Sequence, residues 1–203
     1  MTEAEKAYYE KRAPEYDDWY LGEGRFAERV RPGWEEELGE LRSMLRSFPA
    51  RSVLDVACGT GFLARELTGW VVALDQSLRM LDVARPRLPS AALVQGDGLR
   101  LPFRDGSFHC LLAGHFYGHL APPDRGRFLA EARRVAAQTL IVDAALRDEV
   151  QPEQWQERVL NDGSRHTVYK RYFTPEQLVA ELGGGRVLHA GRWFVAALGM
   201  LKA

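Results

Sequence analysis

Short apolar runs alternate with longer amphipathic stretches through the middle of the chain. Compact apolar segments predict strands over Ser52–Val56, Trp70–Leu74, Ala91–Val94, Ser107–Ala113 and Gln138–Ala144. Helical spacing of apolar positions predicts helices over Gly61–Leu67, Leu78–Arg85 and Pro123–Ala136 between them. Strands that alternate with helices in this way build a doubly wound, mostly parallel α/β sheet with helices on both faces.

The flanks follow other patterns. Thr2–Tyr20 is helical in character and broken near Pro14, and Arg25–Phe48 forms a second helical region interrupted at Pro32-Gly33. Beyond Ala145, Arg147–Leu160 reads as a helix and Arg165–Phe173 as a strand. Thr174-Pro175-Glu176-Gln177 then opens a helix, with threonine as N-cap, proline at the first position and an acid or amide in the first turn, and Gly183-Gly184-Gly185 ends it. Val187–Ala190 and Trp193–Leu198 predict a closing antiparallel pair about Gly191-Arg192. The organisation expected is a helical cap or lid over residues 1–48 and one α/β domain over residues 49–203, with an insert at about residues 147–172.

Composition narrows the function classes. The 203 residues carry 27 basic and 28 acidic side chains, a net charge of −1, so no basic excess points to nucleic acid, although a neutral total can hide a local patch. The two cysteines, Cys58 and Cys110, have no metal-type spacing and fall in or beside expected core strands. The charged start, Met1–Arg12, has no signal-peptide apolar run, and no segment approaches a membrane span. The expectation is a cytoplasmic protein without metal or membrane partner.

The richest chemistry lies in Val53-Leu54-Asp55-Val56-Ala57-Cys58-Gly59-Thr60-Gly61, an acid-bearing strand that runs into a Gly-x-Gly turn. Glycines there let a ligand approach the backbone beside the start of the next helix. In an open parallel sheet ligands bind beyond the carboxyl ends of the strands. Asp55, Asp75 and Asp97 fall in or just after three successive strands. Singly, each reads as a turn former or cap; together they describe a pocket rich in acceptors. Gly59-Thr60-Gly61-Phe62-Leu63-Ala64 also satisfies the dinucleotide fingerprint. A carboxylate at Asp55 is electrostatically wrong beside a pyrophosphate, and none of the four lysines follows a tyrosine by four positions.

From Val53 to Ala144 the chain resembles the class I S-adenosylmethionine-dependent methyltransferases. That resemblance implies a seven-stranded Rossmann-like sheet and S-adenosylmethionine as cofactor, with S-adenosylhomocysteine as product. It assigns Asp55 to the methionyl amine, Ala57, Gly59 and Gly61 to the methionyl loop, and Asp75 to the ribose. Gln76, Gly96, Asp97, Gly98 and Leu99 would border the adenine. Ala57 stands where the family often has glycine, and the Pro-Gly-Gly turn that commonly follows a helix ending like Arg133-Arg134-Val135 is replaced by Ala136-Ala137-Gln138. The run Arg12-Ala13-Pro14-Glu15-Tyr16-Asp17 is similar to a stretch that covers the cofactor in related enzymes, which adds Tyr16 to the cofactor set.

An acceptor with a protonated nucleophile needs a base near the methyl. His115 and Tyr117, after the fourth strand, are the catalytic candidates, and His115 also faces the cofactor. Tyr8, Tyr20, His119, His166 and Tyr169 are the candidates for contact with the acceptor, expected to be a small molecule methylated on oxygen, nitrogen or carbon. The competing readings are an RNA or protein methyltransferase of the same fold, an NAD(P)-dependent oxidoreductase, and a non-enzymatic cofactor-binding protein.

Overall fold

A computed structural model describes residues 3–200, with Met200 described in its backbone only. The outermost ends of the expected cap and domain, including the helix start at Thr2, lie outside the described residues. Seven strands form one sheet in the order β3-β2-β1-β4-β5-β9-β8. They are β1 (Ser52–Val56), β2 (Trp70–Asp75), β3 (Ala92–Gln95), β4 (Phe108–Gly114), β5 (Ala136–Ala144), β8 (Arg186–Ala190) and β9 (Phe194–Met200). The first five are parallel; β9 runs antiparallel to β5 and to β8. The chain winds outward from β1 to β3, then restarts beside β1 with β4. The crevice at the carboxyl ends of β1 and β4 is therefore the topological switch point.

Alternation along β1 distributes the core. Leu54 and Val56 pack towards α5 (Pro122–Val135) and α6 (Pro175–Glu181). Val53 faces the other way, against Leu38, Leu41 and Leu45 of α3 (Trp34–Ser47). Sheets covered on both faces need this near-continuous apolar character. Leu41 and Leu45 are fully buried, each contributing about 2 kcal/mol of apolar burial. α4 (Leu78–Ala84) covers β2 and begins at Ser77, whose hydroxyl accepts the Met80 amide. α6 starts with the expected threonine N-cap, which closes into a capping box with Gln177. α5 passes directly into β5 at Ala136 with no intervening turn.

Two elements differ from the sequence reading. Residues 61–67 form only a 3₁₀ turn at Ala64–Glu66, because Gly61 sits at φ +75°, outside helical space. No α-helix therefore starts within residues 61–67, where the phosphate cradle of a dinucleotide enzyme would need one. The segment expected as a helix over Arg147–Leu160 holds instead β6 (Glu153–Val159), paired with β7 (Arg165–Arg171) as a separate antiparallel hairpin. Pro152 removes a helical amide, and the seven-residue register with β7 overrides helix propensity.

The N-terminal segment lies across these parts. α1 (Glu3–Arg12) leads through a 3₁₀ turn at Ala13–Glu15 into α2 (Asp18–Leu21). The Glu10 carboxylate accepts the Leu78 amide at 2.8 Å, and Glu15 accepts that of Asn161 at 2.8 Å. On α3, buried Glu37 accepts the amides of Trp193 at 2.9 Å and Phe194 at 2.7 Å, which ties the helix to the β8–β9 hairpin.

Candidate functional site

The loop after β1 is bent by three residues in left-handed conformation: Ala57 at φ +56°, Gly59 at +54° and Gly61 at +75°. At Ala57 this costs about 1 kcal/mol, since an L side chain crowds its own backbone there. Asp75, the last residue of β2, holds the bend in place. One carboxylate oxygen accepts the Gly59 amide at 2.9 Å and the other accepts that of Ser77 at 2.9 Å. Burial drives its pKa up to about 6, against the pull of those amides. Lone pairs remain on both oxygens for a ligand's hydroxyls.

Beside Asp75 is a cavity that encloses about 480 Å³ including its open mouth. Tyr16, Ala57, Gly59, Asp75, Gln76, Gly96, Gly98 and His115 from the sequence reading all line it, joined by Tyr9, Leu74, Met80 and Phe116. A Cβ on Gly98 would fall 2.9 Å from Val56 and 3.0 Å from Phe116, so only glycine fits there. Tyr9 is not among the site residues expected from the sequence. The 3₁₀ turn at 13–15 shifts the phase and brings Tyr9, not Tyr8, to the cavity with Tyr16.

Four expected cofactor residues do not line this cavity. Asp55 is 3% exposed within β1, and burial, then the charge of Asp75, raise its pKa well above the carboxylate range. Gly61 packs under Leu88, and Leu99 belongs to the core cluster. Asp97 is exposed and accepts the Leu99 amide at 2.9 Å, shaping the turn after β3.

His115 follows β4 across the switch point, and it too has a left-handed backbone, at φ +54°. Among the described residues the two non-glycines with positive φ are Ala57 and His115, and both border the cavity. Strain of this kind persists where the surroundings over-determine it, often at functional sites. The His115 ring meets Trp19 at 4.9 Å, Tyr20 at 5.7 Å and Phe194 at 5.6 Å. Its burial lowers the pKa to about 4, so the imidazole is neutral at neutral pH. Nδ1 lies 4.0 Å from Asp143, and Nε2 is buried without a partner among the described residues. The carboxylate favours the proton on Nδ1, which leaves the Nε2 lone pair free to accept.

Asp143 is itself fully buried. It accepts Lys170 Nζ at 2.6 Å, the Gly118 amide at 2.7 Å and the Ala144 amide at 2.8 Å. Burial works against its charge, yet Lys170 and His115 outweigh that and keep its pKa below the usual value. This pair was not anticipated from sequence, where Asp143 reads as one polar residue in a buried strand.

Tyr117 departs from its expected catalytic place. It is fully buried, its ring stacks on Phe173 at 5.6 Å, and its hydroxyl donates to Glu181 at 2.7 Å. The 3₁₀ turn at Tyr117–His119 aims it into the core beneath α6, lining neither the cavity nor the cleft beside it.

That second, larger cleft encloses about 1600 Å³ including its open mouth. Of the expected acceptor residues only His119 lines it; its Nδ1 meets the Tyr169 carbonyl at 2.7 Å. Tyr8 is buried against His166, and Tyr20 is stacked on Phe62 at 4.0 Å. His166 lies beneath Tyr8, and Tyr169 points to the face of β7 opposite Lys170, as strand alternation requires. Trp34, Trp155, Tyr172 and Lys170 line the cleft in their stead. Tyr9, Tyr16 and His115 border both spaces.

Residues 53–139 match the family described as the methyltransferase domain. A demethylmenaquinone methyltransferase of Thermotoga maritima is 37% identical over 111 residues, covering 50% of this chain and 44% of that protein. Over this central region the chain is similar to S-adenosylmethionine-dependent methyltransferases. A 2-phytyl-1,4-naphtoquinone methyltransferase of Trichormus variabilis is 32% identical over 151 residues, covering 66% of this chain and 61% of that protein. The matched part thus spans 44% to 61% of the length of these relatives. Among solved structures, a DhpI–SAH complex aligns with TM-score 0.72 and 26% identity over 97% of this chain and 94% of that one. A DhpI–SAM–HEP complex aligns with TM-score 0.74 and 23% identity over 98% of each chain, a likeness of fold. The sheet has the seven strands that the resemblance implies, with β9 antiparallel beside β5.

Proposed function

We propose that the chain transfers a methyl group from S-adenosylmethionine to a small-molecule acceptor, on oxygen, nitrogen or carbon. The observation that carries this reading is the shared wall of Tyr9, Tyr16 and His115 between the cavity beside Asp75 and a roomier cleft. The donor fits the residues present: a glycine cradle with no room for a Cβ at Gly98, an acid with lone pairs to offer at Asp75, and an orphaned acceptor at His115 Nε2. When bound, S-adenosylmethionine supplies an electrophilic methyl on a sulfonium.

In this reading Asp75 accepts from the ribose hydroxyls, and Gln76, Met80, Gly96 and Gly98 border the adenine. Ala57, Gly59, Tyr16 and His115 enclose the methionine end. Asp55 acts from beneath the loop, and Asp97 by shaping the turn that carries Gly98. The segment 1–48 serves as a cap through Tyr9 and Tyr16. His115 accepts a proton or hydrogen bond from the acceptor, and the aromatic walls exclude water from the transfer. The curated relatives are named for quinone acceptors, and the aromatic lining of Trp34, Tyr172 and Trp193 suits a planar one. Cytoplasmic residence belongs to the same proposal and is supported by two buried free thiols, Cys58 and Cys110. Among the described residues no helix is long and apolar enough to cross a membrane.

Calorimetry with S-adenosylhomocysteine tests the reading. The wild-type chain should bind it, and Asp75→Ala should weaken binding about thirtyfold or more while circular dichroism stays unchanged. Equal affinity in the two proteins would overturn it.

A further inference from the structure

The chain as a whole is almost neutral, with 27 basic against 28 acidic residues, yet its larger cleft is not. Arg12 of α1, Arg29 and Arg31 of the loop before α3, and Arg158 of β6 all line it. Their partners are neutral. Arg12 donates to the Tyr8 hydroxyl and lies 5.0 Å from the Tyr16 ring. Arg31 donates to the Trp19 carbonyl at 2.7 Å and lies 3.8 Å over Trp34. Arg29 lies 4.7 Å over Phe26, and Arg158 donates to the Gln156 amide oxygen, its Nε buried without a partner. No carboxylate pairs with any of the four among the described residues.

The acids nearby are engaged elsewhere. Asp17 pairs with Arg87, Glu157 with Arg165 at 2.5 Å, and Asp143 with Lys170. Glu15 accepts the Asn161 amide. Burial, followed by Arg12 and other neighbours, holds Arg158 below its ordinary pKa; burial and then Arg29 do the same to Arg31. The protein therefore holds uncompensated, mutually repelling cations around one concavity, a cost that a bound anion would relieve. At the inner end of the same concavity stands His115, 8% exposed, with its unpartnered Nε2.

We propose that the acceptor is a small molecule bearing an oxyanion, a carboxylate or a phosphate-type group, held by Arg12, Arg29, Arg31 and Arg158 in the cleft beside His115. This rests on the methyl-transfer reading and adds the class of acceptor to it. Guanidinium groups suit this role because their planar forks match such oxygens two at a time. Aromatic faces under Arg12, Arg29 and Arg31 leave their edges free to donate. The four cations come from three separate elements and converge on a hollow, unlike the extended ridge that a polynucleotide backbone needs.

The test is titration calorimetry on the full chain saturated with S-adenosylhomocysteine, using benzoate, phenyl phosphate and the neutral isostere benzamide. Benzoate or phenyl phosphate should bind at least about tenfold tighter than benzamide, and the stronger of the two identifies the oxyanion. Arg158→Gln and Arg31→Gln should each cost about tenfold in anion affinity and nothing in affinity for S-adenosylhomocysteine or benzamide. Equal binding of charged and neutral probes, or indifference to both substitutions, would overturn the proposal. So would a single-stranded oligoribonucleotide that binds more tightly than the small anions and loses affinity in the same variants. The titrations are repeated without S-adenosylhomocysteine. Anion selectivity kept by a chain that fails to bind S-adenosylhomocysteine would defeat the cofactor reading and leave the oxyanion site standing.

Discussion

Asp75 fastens the Gly59 bend: its carboxylate accepts the Gly59 amide at 2.9 Å across the gap between β2 and the loop after β1. One side chain therefore shapes the loop and faces the cavity it encloses. Its folded pKa is about 6, where the free carboxyl titrates near 3.9, so folding takes up a proton between those values. The unliganded protein should lose up to about 3 kcal/mol from this residue as pH rises through that window. Affinity for S-adenosylhomocysteine should rise over the same interval, as the carboxylate forms. Denaturation and calorimetry of the wild type beside Asp75→Asn check both trends, which should flatten in the variant.

His115 has the opposite sign. Its folded pKa is about 4, below the unfolded value near 6.5. Its contribution is present above pH 6.5 and is lost as pH falls towards 4, by up to about 3 kcal/mol. His115→Asn keeps a residue tolerant of φ +54° and removes the titration, so the difference in stability between the two proteins should shrink steadily on acidification. Methyl transfer in this variant should drop about a hundredfold, read as S-adenosylhomocysteine formed.

Lys170 and Asp143 form a buried pair beneath that histidine, 2.6 Å apart. Lys170→Met leaves an uncompensated carboxylate in the core and should cost about 3–5 kcal/mol in urea unfolding. Adding Asp143→Asn to it should recover part of that loss, because the side chain is then neutral and its one oxygen can still accept from either Gly118 or Ala144, whose amides bond separate carboxylate oxygens. A double variant no more stable than Lys170→Met would assign the loss to packing instead.

Tyr117 should prove structural. Tyr117→Phe removes the hydrogen bond to Glu181 and should lower stability by about 1 kcal/mol, with turnover unchanged. A steady-state comparison with His115→Asn separates the two residues that sequence alone placed side by side.

Much of the frame was legible because it depends on local rules. Apolar runs located β1 to β5, the triple glycine and the threonine cap bounded α6, and Asp75 stood where a second strand must end. Local rules failed at residues 61–67, where a left-handed glycine outweighs the apolar spacing, and at 147–160, where pairing with β7 makes a strand of a helical pattern. They failed again at Tyr8 and Tyr9, where a change of one residue in helical phase decides which ring meets the cavity.

By itself the sequence determined a doubly wound sheet and the acid-and-glycine loop at its switch point, since strand period and turn chemistry act over a few residues. Only the tertiary structure decided that His115 faces two spaces while Tyr117 turns into the core, and that Asp143 finds Lys170. It alone gathered Arg12, Arg29, Arg31 and Arg158 around one hollow. Those relations join α1, the loop before α3, β5 and the β6–β7 hairpin across more than a hundred residues. The packing that joins them has no periodic trace along the chain.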